Sequence, residues 1–407
     1  MSVFCIAVSR GVSLPSGYFK VTFPNDRGQF ILQPIDQITT VIPTYRRPLL
    51  LKRAITSVLA QNYRDFEVHV YDNASGDDTQ EVAQQFASRD SRVKYFCHPR
   101  NIGLIQNFAY GIRHVESPFF NLLSDDDVLL PNFFETAVSA LNRAPTAMLF
   151  VGTLVEMDGY RKLRSVQYAQ LREGLHHPPE AFFSVLNSGP NTWTSTLFRR
   201  EVATSLGGLD ERLGLPADID FELRAMARYP LVAGSRVCAV FFQHQNSASV
   251  VALTSDALIV AMLQMITNVD NDPHISSEMK PALCAAMRDR FRHLVFIRAR
   301  VAADQGAYDE ATKLSGISRE HFGARATAGI VDMLASPGFI GQVARAGFRA
   351  ARIPVRLLRR FQNHRRYNAE SRLCVAALES LERAVAAPDG GEQGHSGATM
   401  PGISVTC

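Results

Sequence analysis

Short apolar runs alternate with amphipathic stretches through the first third of the chain. Ile38-Thr39-Thr40-Val41-Ile42 is a β-branched run that stops at Pro43, the pattern of a buried strand. From Pro48 the apolar positions change period: Leu51, Ala54, Ile55, Val58 and Leu59 recur every three or four residues, predicting a helix opened by proline. Phe66 to Tyr71 reads as a second strand that ends at Asp72. The turn Asn73-Ala74-Ser75-Gly76-Asp77-Asp78 then leads to a helix carrying Val82, Gln85 and Phe86. Val93 to Phe96 is a third strand, Ile105 to Val115 a helix, and Phe119 to Leu123 a fourth strand running into Asp125, Asp126 and Asp127. Strand and helix in strict alternation predict an α/β fold with a mostly parallel sheet flanked by helices. Ligands of such sheets bind beyond the carboxyl ends of the strands, so Pro43-Thr44-Tyr45, Asp72 and the aspartate triplet are expected to converge.

The pattern continues with a helix from Pro131 to about Arg143 and an apolar run over Ala147–Val151. Asp158 to Pro190 is polar and weakly patterned. Thr192 to Phe198 predicts a strand, the acidic stretch from Asp218 a helix start, and Val237 to Phe242 a last strand ending at His244. Beyond residue 254 strand patterns vanish, and 255–335 reads as helical. The expected organisation is an irregular extension over 1–36, an α/β domain over 37–253, a helical and partly Arg-rich region over 254–385, and a disordered tail over 386–407.

Bulk composition changes this picture little. With 46% hydrophobic and 20% charged residues, the 407-residue chain is an ordinary globular protein of one or two domains. Six scattered cysteines form no CxxC pair and fit a reducing compartment. No apolar stretch reaches the roughly 18 residues of a membrane span. The only basic residue in Met1–Arg10 follows the apolar run, unlike a secretory signal. The expectation is a cytoplasmic protein, with peripheral attachment at the inner membrane face left open. That option rests on residues 341–368, which hold eight arginines and no acid. Arg345, Arg349, Arg352, Arg356 and Arg359 recur at helical spacing up to Arg360, with Pro354 as an interruption. The stripe reads either as a solvated face or as a surface for anionic lipid. Nucleic acid is set aside, because no recognition motif accompanies the charge.

Taken alone, Asp125–Asp127 fits two roles. Carboxylates at a strand end suit a hard cation such as Mg²⁺ or Mn²⁺, and equally suit the cap of the helix near Pro131. The neighbouring motifs weigh against the cap. Thr40-Val41-Ile42-Pro43-Thr44-Tyr45-Arg46-Arg47-Pro48, then Val70-Tyr71-Asp72-Asn73-Ala74-Ser75-Gly76-Asp77-Asp78-Thr79, Asn101-Ile102-Gly103-Leu104 and Ser124-Asp125-Asp126-Asp127-Val128-Leu129-Leu130-Pro131 follow one another in order. Together they resemble a family 2 glycosyltransferase with the GT-A fold over about residues 38–250.

The resemblance implies an inverting transferase that uses a nucleotide-sugar donor, UDP- or dTDP-linked, and a saccharide or lipid-linked acceptor, as in surface polysaccharide synthesis. It implies donor contacts at Pro43, Thr44, Tyr45, Asp72, Asn101, Gly103, Asp125 and Asp126. Asp127 would ligate the cation, with His244 beside it. Gly207-Gly208-Leu209-Asp210-Glu211 and Ala217-Asp218-Ile219-Asp220 resemble the segment that supplies the catalytic base, expected at Asp218 with Asp220 as the alternative. Ala217 stands where the family usually has an acid, and Asn73 where it often has a second Asp. Trp193, the only tryptophan, is placed on the acceptor side. A nucleotidyltransferase is the runner-up enzyme, disfavoured because no glycine-rich loop follows the first strand. A non-catalytic binding subunit is the other alternative, suggested by Ala217.

Overall fold

The computed structural model describes residues 19–21, 32–34, 37–158, 163–167, 171–188, 193–243, 255–323, 325–336, 338–351, 374–383 and 385. A small antiparallel pair, β1 (Phe19–Val21) and β2 (Leu32–Pro34), precedes the main domain. The predicted alternation then follows: β3 (Ile38–Thr44), α1 (Pro48–Leu59), β4 (Phe66–Asp72), α2 (Thr79–Arg89), β5 (Val93–Cys97), α3 (Leu104–Arg113) and β6 (Phe119–Leu122). β3 is buried along its whole length between parallel neighbours β4 and β6, which is why its sequence is apolar and β-branched on both faces. β5 adds a parallel edge to β4.

The second half turns the sheet from parallel to mixed. After β7 (Val128–Leu129) and α4 (Phe133–Arg143) come β8 (Leu149–Asp158), β9 (Leu163–Gln167), β10 (Gly174–His176) and α5 (Glu180–Ser188). Next are β11 (Thr196–Arg199), α6 (Arg200–Leu206), α7 (Ala217–Arg228) and β12 (Leu231–Gln243). The main path of the sheet is β10-β12-β8-β11-β6-β3-β4-β5, with β7 on β12 and β9 on β8. β11 runs antiparallel to both β6 and β8, and β12 runs parallel to β8.

Several expected boundaries move. The run at Ala147–Val151 extends through Asp158, because pairing on both sides carries the strand past its apolar section. The expected strand Thr192–Phe198 divides: Trp193–Ser195 is a 3₁₀ turn and Thr196–Arg199 the strand. The weakly patterned 158–190 stretch contains β9, β10 and α5, whose short lengths give little periodicity.

Helix α3 lies directly on the sheet. A Cβ at Gly111 would stand 2.4 Å from Val41 Cγ1 and 3.0 Å from the Tyr71 ring, so glycine lets α3 approach β3 and β4. Beyond the sheet, α8 (Ser255–Asp270), α9 (Lys280–Asp304), α10 (Tyr308–Phe322), α11 (Arg325–Ala335) and α12 (Phe339–Ala351) bear out the helical reading of 255–335. Ile259, Met262, Leu283, Met287 and Phe291 of α8 and α9 join the same buried cluster as Phe221 of α7 and Phe182 of α5. A further helical segment over 374–383 buries Cys374, Leu378 and Leu381 against Val128, Val155, Met157 and Val240. No helix among the described residues is long and apolar enough to cross a membrane.

Two expectations about the C-terminal region are affected. Arg345 does not lie on an exposed stripe: it is buried, donates to the carbonyls of Leu334 and Ser336, and its guanidinium lies 5.1 Å from the Tyr308 ring centroid. The Arg349 side chain, Arg352–Arg360 and the tail over 386–407 lie outside the described residues.

Candidate active site

The carboxyl ends of β3, β4 and β6 adjoin, as parallel order requires. Thr44 closes β3, and its hydroxyl donates to Asp125 Oδ2 at 2.8 Å. Its carbonyl accepts from Asn73 N at 2.9 Å, tying the end of β4 to the same point. Arg47, at the start of α1, donates through Nη1 to Asp125 Oδ1 and Asp126 Oδ2, both at 3.1 Å. Thr44, Arg47, Asp125 and Asp126 thus form one contact cluster.

Arg46 braces it from the other side. Its backbone adopts φ 55°, a left-handed conformation uncommon outside glycine, and its N–H and Nε–H both donate to Ser75 at 2.9 and 3.0 Å. The turn after β4 is thereby fastened to the end of β3. Tyr45 remains 38% exposed, with the Arg46 guanidinium 5.1 Å from its ring centroid. Pro43 is buried in β3 and shapes the exit of the strand.

Asp127, expected as the cation ligand, is the most deeply buried of the three. It is fully buried, Oδ2 accepts from Thr194 Oγ1 at 2.8 Å, and Oδ1 accepts from Phe242 N at 3.0 Å. Both oxygens are engaged, and the residue faces the protein interior. It joins the triplet to the 3₁₀ turn and to β12. The oxygens gathered at Arg47 belong to Asp125 and Asp126, the other two carboxylates of the triplet. Burial, then the Asp126 charge, raises Asp127 well above the ordinary carboxylate range, against the Phe242 N–H, Thr194 and Arg53. The same two causes, in the same order, raise Asp125 to about 6, against Arg47 and Thr44.

Asp72 is likewise occupied. Ser75 donates to its Oδ1 from both N–H and hydroxyl, at 3.0 and 2.6 Å, and Tyr95 OH donates to Oδ2 at 2.7 Å. It is buried, so it shapes the turn after β4 instead of presenting a carboxylate to a nucleoside. Burial foremost, with the bond to Asp72, raises the Tyr95 hydroxyl. Asn101 also works within the loop: its Oδ1 accepts from Asn73 Nδ2 at 3.0 Å and Gly103 N at 2.9 Å. Ile102 N donates to Asn73 Oδ1 at 2.7 Å, so the asparagine in place of a second aspartate closes a lattice that needs its N–H donors. Gly103, at φ 97°, starts α3 in a conformation suited to glycine.

On α7, Asp218 is half-buried and accepts from Ile219 N at 2.7 Å. Burial pushes its carboxyl up to about 7, against that N–H bond. Asp220, the alternative base, is held in an ion pair. It is buried, paired with Arg224 Nε at 2.7 Å, and accepts from Asn268 Nδ2 of α8 at 3.0 Å. Arg224 spends its remaining donors on the carbonyls of Leu206 and Gly208. Ala217 is fully buried, so that position faces the core. Trp193 is only 4% exposed and packs 5.0 Å from Phe108, which removes it as an exposed acceptor platform. His244 lies outside the described residues.

A hard cation fits the donor set. Among the described residues no group of three or more His, Cys, Asp or Glu forms a ready cage. Mg²⁺ and its like need none: one or two carboxylates suffice when phosphate and water complete the shell. Asp125 and Asp126 supply that pair, and the Arg47 guanidinium stands in for positive charge between them. Sequence reasoning missed Arg46, Arg47 and Ser75; the adjacent arginines before Pro48 were the available signal.

Comparison with known proteins gives a consistent result. Residues 39–207 match the profile described as "Glycosyl transferase family 2". Over 124 residues the chain is 33% identical to a GalNAc(5)-diNAcBac-PP-undecaprenol beta-1,3-glucosyltransferase of Campylobacter jejuni, covering 30% of this chain and 40% of that protein. It is 27% identical over 220 residues to an uncharacterized protein of Mycobacterium tuberculosis, covering 52% of this chain and 66% of the other. The chain therefore spans less than two thirds of either relative. Among solved structures, residues 1–349 of S. aureus TarS in complex with UDP-GlcNAc superpose with a TM-score of 0.59 at 14% identity, covering 77% of this chain and 92% of the other. At that identity the likeness is one of fold.

Proposed function

We propose that this chain, whose residues 39–207 match the family 2 glycosyltransferase profile, is an inverting, divalent-cation-dependent transferase. It moves a sugar from a UDP- or dTDP-linked donor to a hydroxyl of a saccharide or lipid-linked glycan, as in surface polysaccharide synthesis. The observation that carries the reading is the meeting of Thr44, Arg47, Asp125 and Asp126 at adjoining strand ends inside the matched segment. The kinship with a transferase named for a polyprenyl-diphosphate-linked glycan supports the acceptor class.

Asp125 and Asp126 would hold the cation, which supplies charge neutralisation at the donor diphosphate. Tyr45, exposed at the end of β3, packs against the nucleoside, while Asp72 and Asn101 keep their loops in shape for it. Asp218 takes the acceptor proton as the hydroxyl attacks the anomeric carbon, the bond to the donor's diphosphate oxygen breaks on the opposite face, the nucleoside diphosphate leaves with that electron pair, and the single displacement inverts the centre. A carboxylate raised to about 7 holds a proton more readily than an ordinary aspartate, which suits a general base near neutral pH.

The test is a thermal-shift screen of the full chain with UDP- and dTDP-sugars, with and without Mn²⁺. One donor class should raise the melting temperature in a Mn²⁺-dependent way, and Asp126→Asn should remove that dependence. No stabilisation by any donor would sink the proposal.

A further inference from the structure

Asp125 and Asp126 share one guanidinium nitrogen. Arg47 Nη1 lies 3.1 Å from Asp125 Oδ1 and 3.1 Å from Asp126 Oδ2. The carboxylates are buried, with side chains 7% and 8% exposed, while Arg47 keeps 29% of its side chain in solvent. Its backbone is held: Pro48 follows it, and its carbonyl accepts from Leu51 N at 2.9 Å in the first turn of α1. Movement is therefore confined to the side chain, and water already reaches it.

The second arginine nearby has a different footing. Arg53 donates to the Asp126 carbonyl at 2.5 Å and lies 4.1 Å over the Phe242 ring, so it is clamped to backbone and core. Arg47 lies on the side-chain oxygens themselves.

Neighbouring carboxylates withdrawn from water repel each other and require a counter-charge. A divalent ion bound to the same two oxygens would approach them to about 2.0–2.3 Å. It would claim the space and lone pairs that the guanidinium nitrogen now uses, and two cations a few ångströms apart repel strongly in a partly buried site. We infer that Arg47 is a built-in counter-ion, a positioning residue that keeps Asp125 and Asp126 together without a divalent cation and is displaced from them when one binds. The inference rests on the cation-dependent reading of this site. It has a consequence for donor binding. A displaced guanidinium beside the cation is well suited to a phosphate oxygen, so donor and cation should bind more tightly together than apart.

The experiment is an EPR titration of Mn²⁺ alone into the full chain, its Arg47→Gln and Arg47→Lys variants, and Asp126→Asn, with melts recorded alongside. Arg47→Gln should bind Mn²⁺ at least about tenfold more tightly, the ratio expected when one charge-assisted hydrogen bond no longer has to be broken. Without Mn²⁺ the same variant should melt below the parent, and saturating Mn²⁺ should close the gap. Equal or weaker Mn²⁺ binding by Arg47→Gln, with Asp126→Asn impaired, overturns the competition and leaves the cation site standing. No Mn²⁺ binding by any form overturns the cation reading and the inference with it. If Arg47→Gln does not fold, Arg47→Lys decides. The shorter, more flexible and more strongly hydrated lysine holds the two oxygens less firmly, so Mn²⁺ binding should tighten several-fold, and unchanged affinity refutes the idea.

Discussion

At the residue scale, burial separates side chains that look alike in the sequence. Asp125, Asp126 and Asp127 are consecutive, yet the last is held by Thr194 and Phe242 N while the first two meet Arg47. Asp218 and Asp220 divide the same way, one with a carboxyl raised to about 7 and the other locked to Arg224. Asp218→Asn should reduce turnover by about 10²- to 10⁴-fold, the usual contribution of a positioned base. The active form of Asp218 is the carboxylate, so kcat should fall as pH drops through about 7, to roughly a tenth at pH 6; a flat profile would exclude it as the base. Stability runs the other way. A carboxyl raised on folding binds protons better in the folded chain, so its stabilising effect is full below the unfolded value and is lost as pH rises through about 7. Melting temperature in the absence of cation should decline over that window, and Asp218→Asn should flatten the decline.

At the scale of elements, α7 is fixed by a buried pair. Asp220 and Arg224 lie one turn apart, with Asn268 of α8 closing the remaining oxygen. Arg224→Met leaves a buried charge without its partner and should cost about 3–5 kcal/mol in chemical denaturation; adding Asp220→Leu should recover much of that. A single mutant as stable as the parent would disprove the structural role. The elements were legible where period and length agree. β3, α1, β4 and α3 could be read directly, because a strand buried on both faces reads as one β-branched run, a half-buried strand alternates, and an amphipathic helix repeats its apolar face. β9, β10 and the Trp193–Ser195 turn were not legible, since three to five residues carry too little period to separate strand from turn.

At the scale of the whole molecule, the helical region is part of the core. α8 and α9 share a buried cluster with α5 and α7, and the Arg228–Asp272 pair spans the boundary at 2.6 Å with both side chains nearly inaccessible. A chain ending at Gln243 should expose this surface, bind a hydrophobic dye and lose its cooperative melt. A truncated chain that melts as sharply and as high as the full one would show the helices to be an appendage.

The sequence by itself determined the order of strands and helices from β3 to β6, the family resemblance, and the meeting of three strand ends, because parallel βαβ topology puts those ends on one edge. The aspartate triplet was recognisable as part of a site for the same reason. Only the tertiary structure decided which groups hold each carboxylate. Thr194, Phe242 and Arg47 are distant from one another in the chain, and their approach sets burial and hydrogen bonding for each oxygen. It gathered Asp125 and Asp126 at Arg47, tied Asp72 and Asn101 into their loops, and put Trp193 in the core. Residue type supplies the chemistry, and long-range packing selects which atoms are left to perform it.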